Sequence, residues 1–180
     1  MFHFLGLFLM ILTWMVGLYL IRKWRNKSLL TISKHASSTV WSYLLFALSL
    51  SAIGISLYIW LLRWFMPHLK LNALFGSILT LMIICLVVTA VIPDTKGLSR
   101  RLHRIAAFSM AVLYLPLSLL IALSATLHVI TRILCLGLLI YMLLTFTFVV
   151  LMKRSQQRYL VFQGLYIVAF QLIVLSAAYM

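Results

Sequence analysis

The sequence predicts an all-α, polytopic membrane protein: six transmembrane helices in one bundle over residues 1–180, with both termini outside. Three observations predict it. The first is composition: 66% of the residues are hydrophobic and 9% are charged, against roughly a quarter charged in an ordinary soluble domain. A core in water could not enclose that much apolar surface, so lipid must be its solvent. The second is that the apolar residues form six continuous runs, each near the length of a bilayer crossing, where a membrane barrel would show short alternating strands. The third is where the cations sit. With an outside start, the gaps after runs one, three and five hold twelve: Arg22, Lys23, Arg25, Lys27, Lys34, Lys96, Arg100, Arg101, Arg104, Lys153, Arg154 and Arg158. The other side holds three, Arg63, Lys70 and Arg132. Cytoplasmic loops collect Lys and Arg, and that bias gives the orientation.

Run one, 4–21, is close to the lower limit for a span. No cation precedes it and no small-residue cleavage site closes it, so it reads as a retained helix rather than a signal peptide. The connection 22–39 is basic, carries Lys34 and His35, and reads as a solvated loop; 28–32 is the one stretch in it suited to lying on lipid. Run two, 40–62, has Trp41 and Tyr43 at one end and Trp60 and Trp64 at the other, the aromatic girdles expected at both interfaces. A loop at 63–72 contains Pro67 and His68. Run three, 73–92, stops at Pro93, which steers the preceding residue out of helical conformation. Gly97 adds a second break. Run four, 102–124, carries Pro116 in its middle and is expected to kink there. A tight turn leads to run five, 129–152, where Arg132 is expected to snorkel to the headgroups. After a basic loop at 153–158, run six, 159–179, places Gln163 and Gln171 in hydrocarbon. The hydroxyls and amides within the runs are expected to join helices, and Cys85 and Cys135 read as small apolar residues.

Polar chemistry concentrates at 91–104, VIPDTKGLSRRLHR, which holds the single acidic residue, Asp94. One reading is structural: Pro93, Asp94 and Gly97 form a hairpin in which Asp94 accepts bonds from backbone N–H groups of run four, or pairs with Arg100, Arg101 or Arg104. The other is functional. Arg100, Arg101 and Arg104, helped by the start of run four and with His103 as a further donor, hold the phosphate of an anionic lipid headgroup. A lone carboxylate among cations stays ionised and makes a poor general acid.

Ile92-Pro93-Asp94, a short basic linker and Leu102-His103 ahead of a helix rich in small residues resemble the DUF998 family of six-span membrane proteins. There the pattern is roughly FPxDP…H…A, and here Ile92 stands at the phenylalanine position and Thr95 at that of the second proline. A looser similarity links the chain to Frag1/DRAM/Sfk1-type six-span proteins, which are associated with lipid handling. The resemblance implies six spans with the motif after the third; it implies no particular chemistry.

Other classes find little support. Nucleic-acid recognition needs a water-facing basic surface, whereas these cations fill gaps between apolar runs. No HExxH helix, Gly-rich phosphate loop, Ser-His-Asp order, acidic pair or metal-type spacing is present. The chain is therefore expected not to be an enzyme and to carry no cofactor and no metal. A b-type haem needs paired histidines at matching depth, and His35, His68, His103 and His128 lie in loops or at run ends. An ion-coupled carrier needs ionisable groups near the midplane, where this chain has hydroxyls and amides. The expectation is a multi-pass protein of the inner or plasma membrane whose partners are anionic lipid headgroups on the cytoplasmic side. The alternatives are an accessory subunit of a larger membrane complex, a small solute or lipid transporter, or a b-type haem protein.

Overall fold

The computed structural model describes residues 2–23, 33, 36, 39–151 and 159–180. Among them, six helices are long and apolar enough to cross a membrane. They are α1 (Leu5–Lys23), α2 (Val40–His68), α3 (Ala73–Val91), α4 (Gly97–Ala122), α5 (Val129–Leu151) and α6 (Tyr159–Tyr179). A 3-10 turn, Phe2–Phe4, leads into α1. Arg25, Lys27, Lys34, His35, Lys153, Arg154, Arg158 and the stretch 28–32 lie outside the described residues.

Side chains close the starts of α2 and α3. The Ser42 N–H donates to Thr39 Oγ1 at 3.1 Å, while the Thr39 N–H donates to Ser42 Oγ at 3.2 Å. Asn72 Oδ1 accepts from the Phe75 N–H at 3.3 Å. These oxygens take up N–H groups that no earlier turn can satisfy.

Two boundaries differ from the sequence reading. The helix expected to end at Leu62 continues to His68 through a π-helical turn at Leu61–Phe65, where the Met66 N–H reaches the Leu61 carbonyl. Pro67 has no N–H to give and would press on the carbonyl four residues back; the widened turn before it relieves that clash. α2 then closes on the Leu71 N–H donating to Met66 O at 2.9 Å and the Lys70 N–H donating to Pro67 O at 3.1 Å. Lys70 sits at φ 51, the left-handed position glycine usually takes in such a cap. The second difference is α4, which starts at Gly97 rather than 102. Gly97 has φ 64, a step that glycine takes without steric cost, so the expected break becomes a helix start. Arg100, Arg101, His103 and Arg104 therefore stand on the opening turns of α4.

The helices pack in chain order, α1 on α2 through to α5 on α6, and α6 returns against α4. Trp60, Phe65, Phe75, Leu79, Leu117, Ile121, Met142 and Ile173 fill the interior. Trp60, expected in an interfacial girdle, is fully buried because α1 presents Gly6 to it. Apolar side chains also cover the outside, among them Trp41, Leu48, Ile133 and Leu144. Such a continuous apolar coat is untenable in water and suits a chain that crosses a membrane several times. Pro116 lies inside α4 without ending it.

Candidate anion-binding site

The site is built on the way α3 ends. Its last carbonyls have no N–H four residues on, because Pro93 stops the helix. Three side chains supply donors in turn. The Tyr43 hydroxyl donates to the Val91 carbonyl, His103 Nδ1 lies 2.7 Å from the Ile92 carbonyl, and Ser99 Oγ donates to the Pro93 carbonyl at 2.6 Å. A carbonyl oxygen only accepts, so His103 carries a proton on Nδ1. His103 is 4% exposed. It is spent on holding α4 against the end of α3.

Asp94 plays a different part from the one expected of a cap. The N-cap of α4 is Lys96, which leaves Asp94 too early in the chain to reach the first N–H groups. Its side chain is 6% exposed, with Oδ1 3.5 Å from Arg100 Nε and 3.9 Å from Arg104 Nε. That oxygen accepts no hydrogen bond from the described residues. Arg100 Nε is instead aimed at the Thr95 carbonyl, at 2.7 Å.

Gly97, Arg100, Arg101, Arg104 and Ile105 line an open pocket of about 450 Å³ on the first turns of α4. The structure thus brings the three arginines together and leaves His103 outside their pocket. Lys96 and three guanidinium groups against one carboxylate give residues 94–104 a net charge of +3. The Lys96 side chain makes no capping hydrogen bond, and the helix start that carries the guanidinium groups is the positive end of the α4 dipole. Leu102, Ile105 and Phe108 continue from the pocket as exposed apolar surface. No group of three or more His, Cys, Asp or Glu placed to hold a metal occurs among the described residues.

Tyr43 and Ser99 escaped the sequence reading, the first taken for a girdle residue and the second for linker. The available signal was that a proline-stopped helix needs donors for its final carbonyls. Arg132 stands on the first turn of α5. It is half-buried, and its Nη2 donates to the Ser124 carbonyl at 3.0 Å, tying the start of α5 to the turn after α4.

No family model, curated protein or solved structure matches this chain. The helices by themselves define its class: an all-α, multi-pass membrane protein by length and composition.

Proposed function

We propose that this chain is a non-catalytic protein of the inner or plasma membrane that holds an anionic lipid headgroup between Arg100, Arg101 and Arg104. The observation carrying this reading is the arginine-lined pocket at an uncapped helix start, bordered by exposed apolar residues. Guanidinium groups recognise phosphate through paired N–H donors, and the positive end of a helix adds to their pull. Leu102, Ile105 and Phe108 offer the acyl chains a surface that a soluble anion would not use. Both termini are outside in this reading, and the pocket faces the cytoplasmic leaflet, in keeping with the twelve-to-three cation bias. The residues behind the resemblance to DUF998-type proteins, Pro93, Asp94 and His103, frame the pocket without lining it.

Native mass spectrometry of the full chain, released from nanodiscs of mixed phosphatidylglycerol and phosphatidylcholine, tests the reading. The wild type should retain phosphatidylglycerol in preference. Each cation near an anionic surface contributes about 1 kcal/mol, so the Arg100→Gln/Arg101→Gln double variant should bind about 30-fold more weakly. Undiminished retention by that variant rejects the proposal. Displacement of the lipid by millimolar inorganic phosphate would reassign the pocket to a soluble anion.

A further inference from the structure

A second site lies in the middle of the bundle, separate from the arginine pocket and independent of the headgroup reading. We propose that it binds a small neutral hydrogen-bonding molecule, water being the one its size fits, between the Gln171 amide and the Tyr114 hydroxyl. A largely enclosed cavity of about 40 Å³ opens where α1, α2, α3, α4 and α6 converge, lined by Met10, Gly54, Leu61, Met82, Tyr114 and Gln171 among others. One water needs about 10–15 Å³ of such space, so the cavity accommodates about three.

A purely apolar hole of this size stays dry. This one carries two groups with hydrogen-bonding capacity to spare. Trp14 Nε1 donates to Gln171 Oε1 at 2.6 Å. An indole N–H can only donate, so the amide oxygen faces Trp14 and the two N–H bonds of Gln171 remain for another partner. Neither that NH2 nor the Tyr114 hydroxyl makes a hydrogen bond with the described residues. The neighbouring Tyr166 contrasts with them, since its hydroxyl donates to the Ala111 carbonyl at 2.6 Å. A polar group without a partner in an apolar surround is costly, and a molecule offering an acceptor to the half-buried Gln171 and either role to Tyr114 removes that cost. The ligand is neutral because the lining supplies no counter-charge, and an unpaired buried ion would be prohibitive.

The backbone is shaped to keep the space open. A Cβ on Gly54 would stand 2.7 Å from Leu86 Cδ2, and Leu86 lines the same cavity. A side chain at 54 would add its own bulk to the lining and force that leucine to shift. Leu61, also in the lining, begins the widened turn of α2, and such turns are frequent at functional sites.

The test uses the full isotope-labelled chain in lipid nanodiscs, with water as the probe. Magnetisation transfer from water to the Gln171 side-chain NH2 should be seen in the wild type. It should be lost in Gly54→Ala, while the rest of the spectrum overlays. Leu57→Phe, which adds bulk to the cavity lining one turn further along α2, is the second variant where Gly54→Ala fails to fold. Absence of transfer in the wild type overturns the proposal. So does transfer from lipid acyl protons in place of water, or transfer that survives cavity filling.

Discussion

His103 shows how one side chain can serve a helix other than its own. It stands on α4, yet its Nδ1–H satisfies the Ile92 carbonyl at the end of α3, where no backbone donor is available. His103→Ala leaves that buried acceptor without a partner, and the expected loss is about 1–3 kcal/mol. His103→Gln keeps an N–H donor and should recover part of it. Thermal unfolding in mild detergent reads both, and an alanine variant that melts with the wild type would remove the cap from the account. Lys70 presents the reverse case, a residue in a conformation that favours another type. Its left-handed φ of 51 costs an L side chain about 1 kcal/mol or more. Lys70→Gly should therefore raise stability by about 1 kcal/mol, since the cap geometry itself is kept. A lower melting temperature would mean that the lysine makes contacts outweighing its strain.

Between helices, close approach matters more than polar ties. Most hydroxyls expected to join helices bond the carbonyl four residues back on their own helix, as Thr13 does to Leu9, Ser49 to Leu45, Ser118 to Tyr114 and Thr145 to Tyr141. That carbonyl is the nearest acceptor when water is excluded. Real cross-ties exist, such as the Trp14–Gln171 bond between α1 and α6 and the Tyr58–Thr80 bond between α2 and α3. Interhelical bonds of this kind average about 0.6 kcal/mol in membranes, which is too little to set the architecture. The α1–α2 contact has a sharper determinant. A Cβ on Gly6 would lie 2.5 Å from Trp60 Cζ2, and Trp60 is fully buried with little freedom to retreat. Gly6→Ala should cost about 1–3 kcal/mol through overpacking. A neutral result in the same unfolding assay would mean that α1 can slide on α2.

At the scale of the whole molecule, the arginine pocket and the turn at 92–96 fall at the end of the bundle that the cation bias assigns to the cytoplasm. The exposed Lys96 is a convenient reporter. Lys96→Cys should react with a membrane-impermeant thiol reagent in inverted vesicles and be protected in right-side-out ones. Cys85 and Cys135 lie within α3 and α5 and should stay silent in both. Labelling from the outer side would reverse the orientation and separate the pocket from the leaflet proposed for it.

The amino-acid sequence by itself determined that the chain is helical and lipid-solvated, with six apolar runs and its single carboxylate set among cations at 91–104. Those properties depend on composition and run length measured against bilayer thickness, and both are local to the chain. Tertiary structure alone decided that Trp60 turns inward onto Gly6, that His103 caps α3 while Arg100, Arg101 and Arg104 share a pocket, and that Gln171 meets Trp14 beside a central cavity. A nearly uniform apolar helix carries little periodic signal for which face is inward. Its rotation about its own axis is set by how side chains distant in sequence interlock, and that rotation selects the neighbours each polar group can reach.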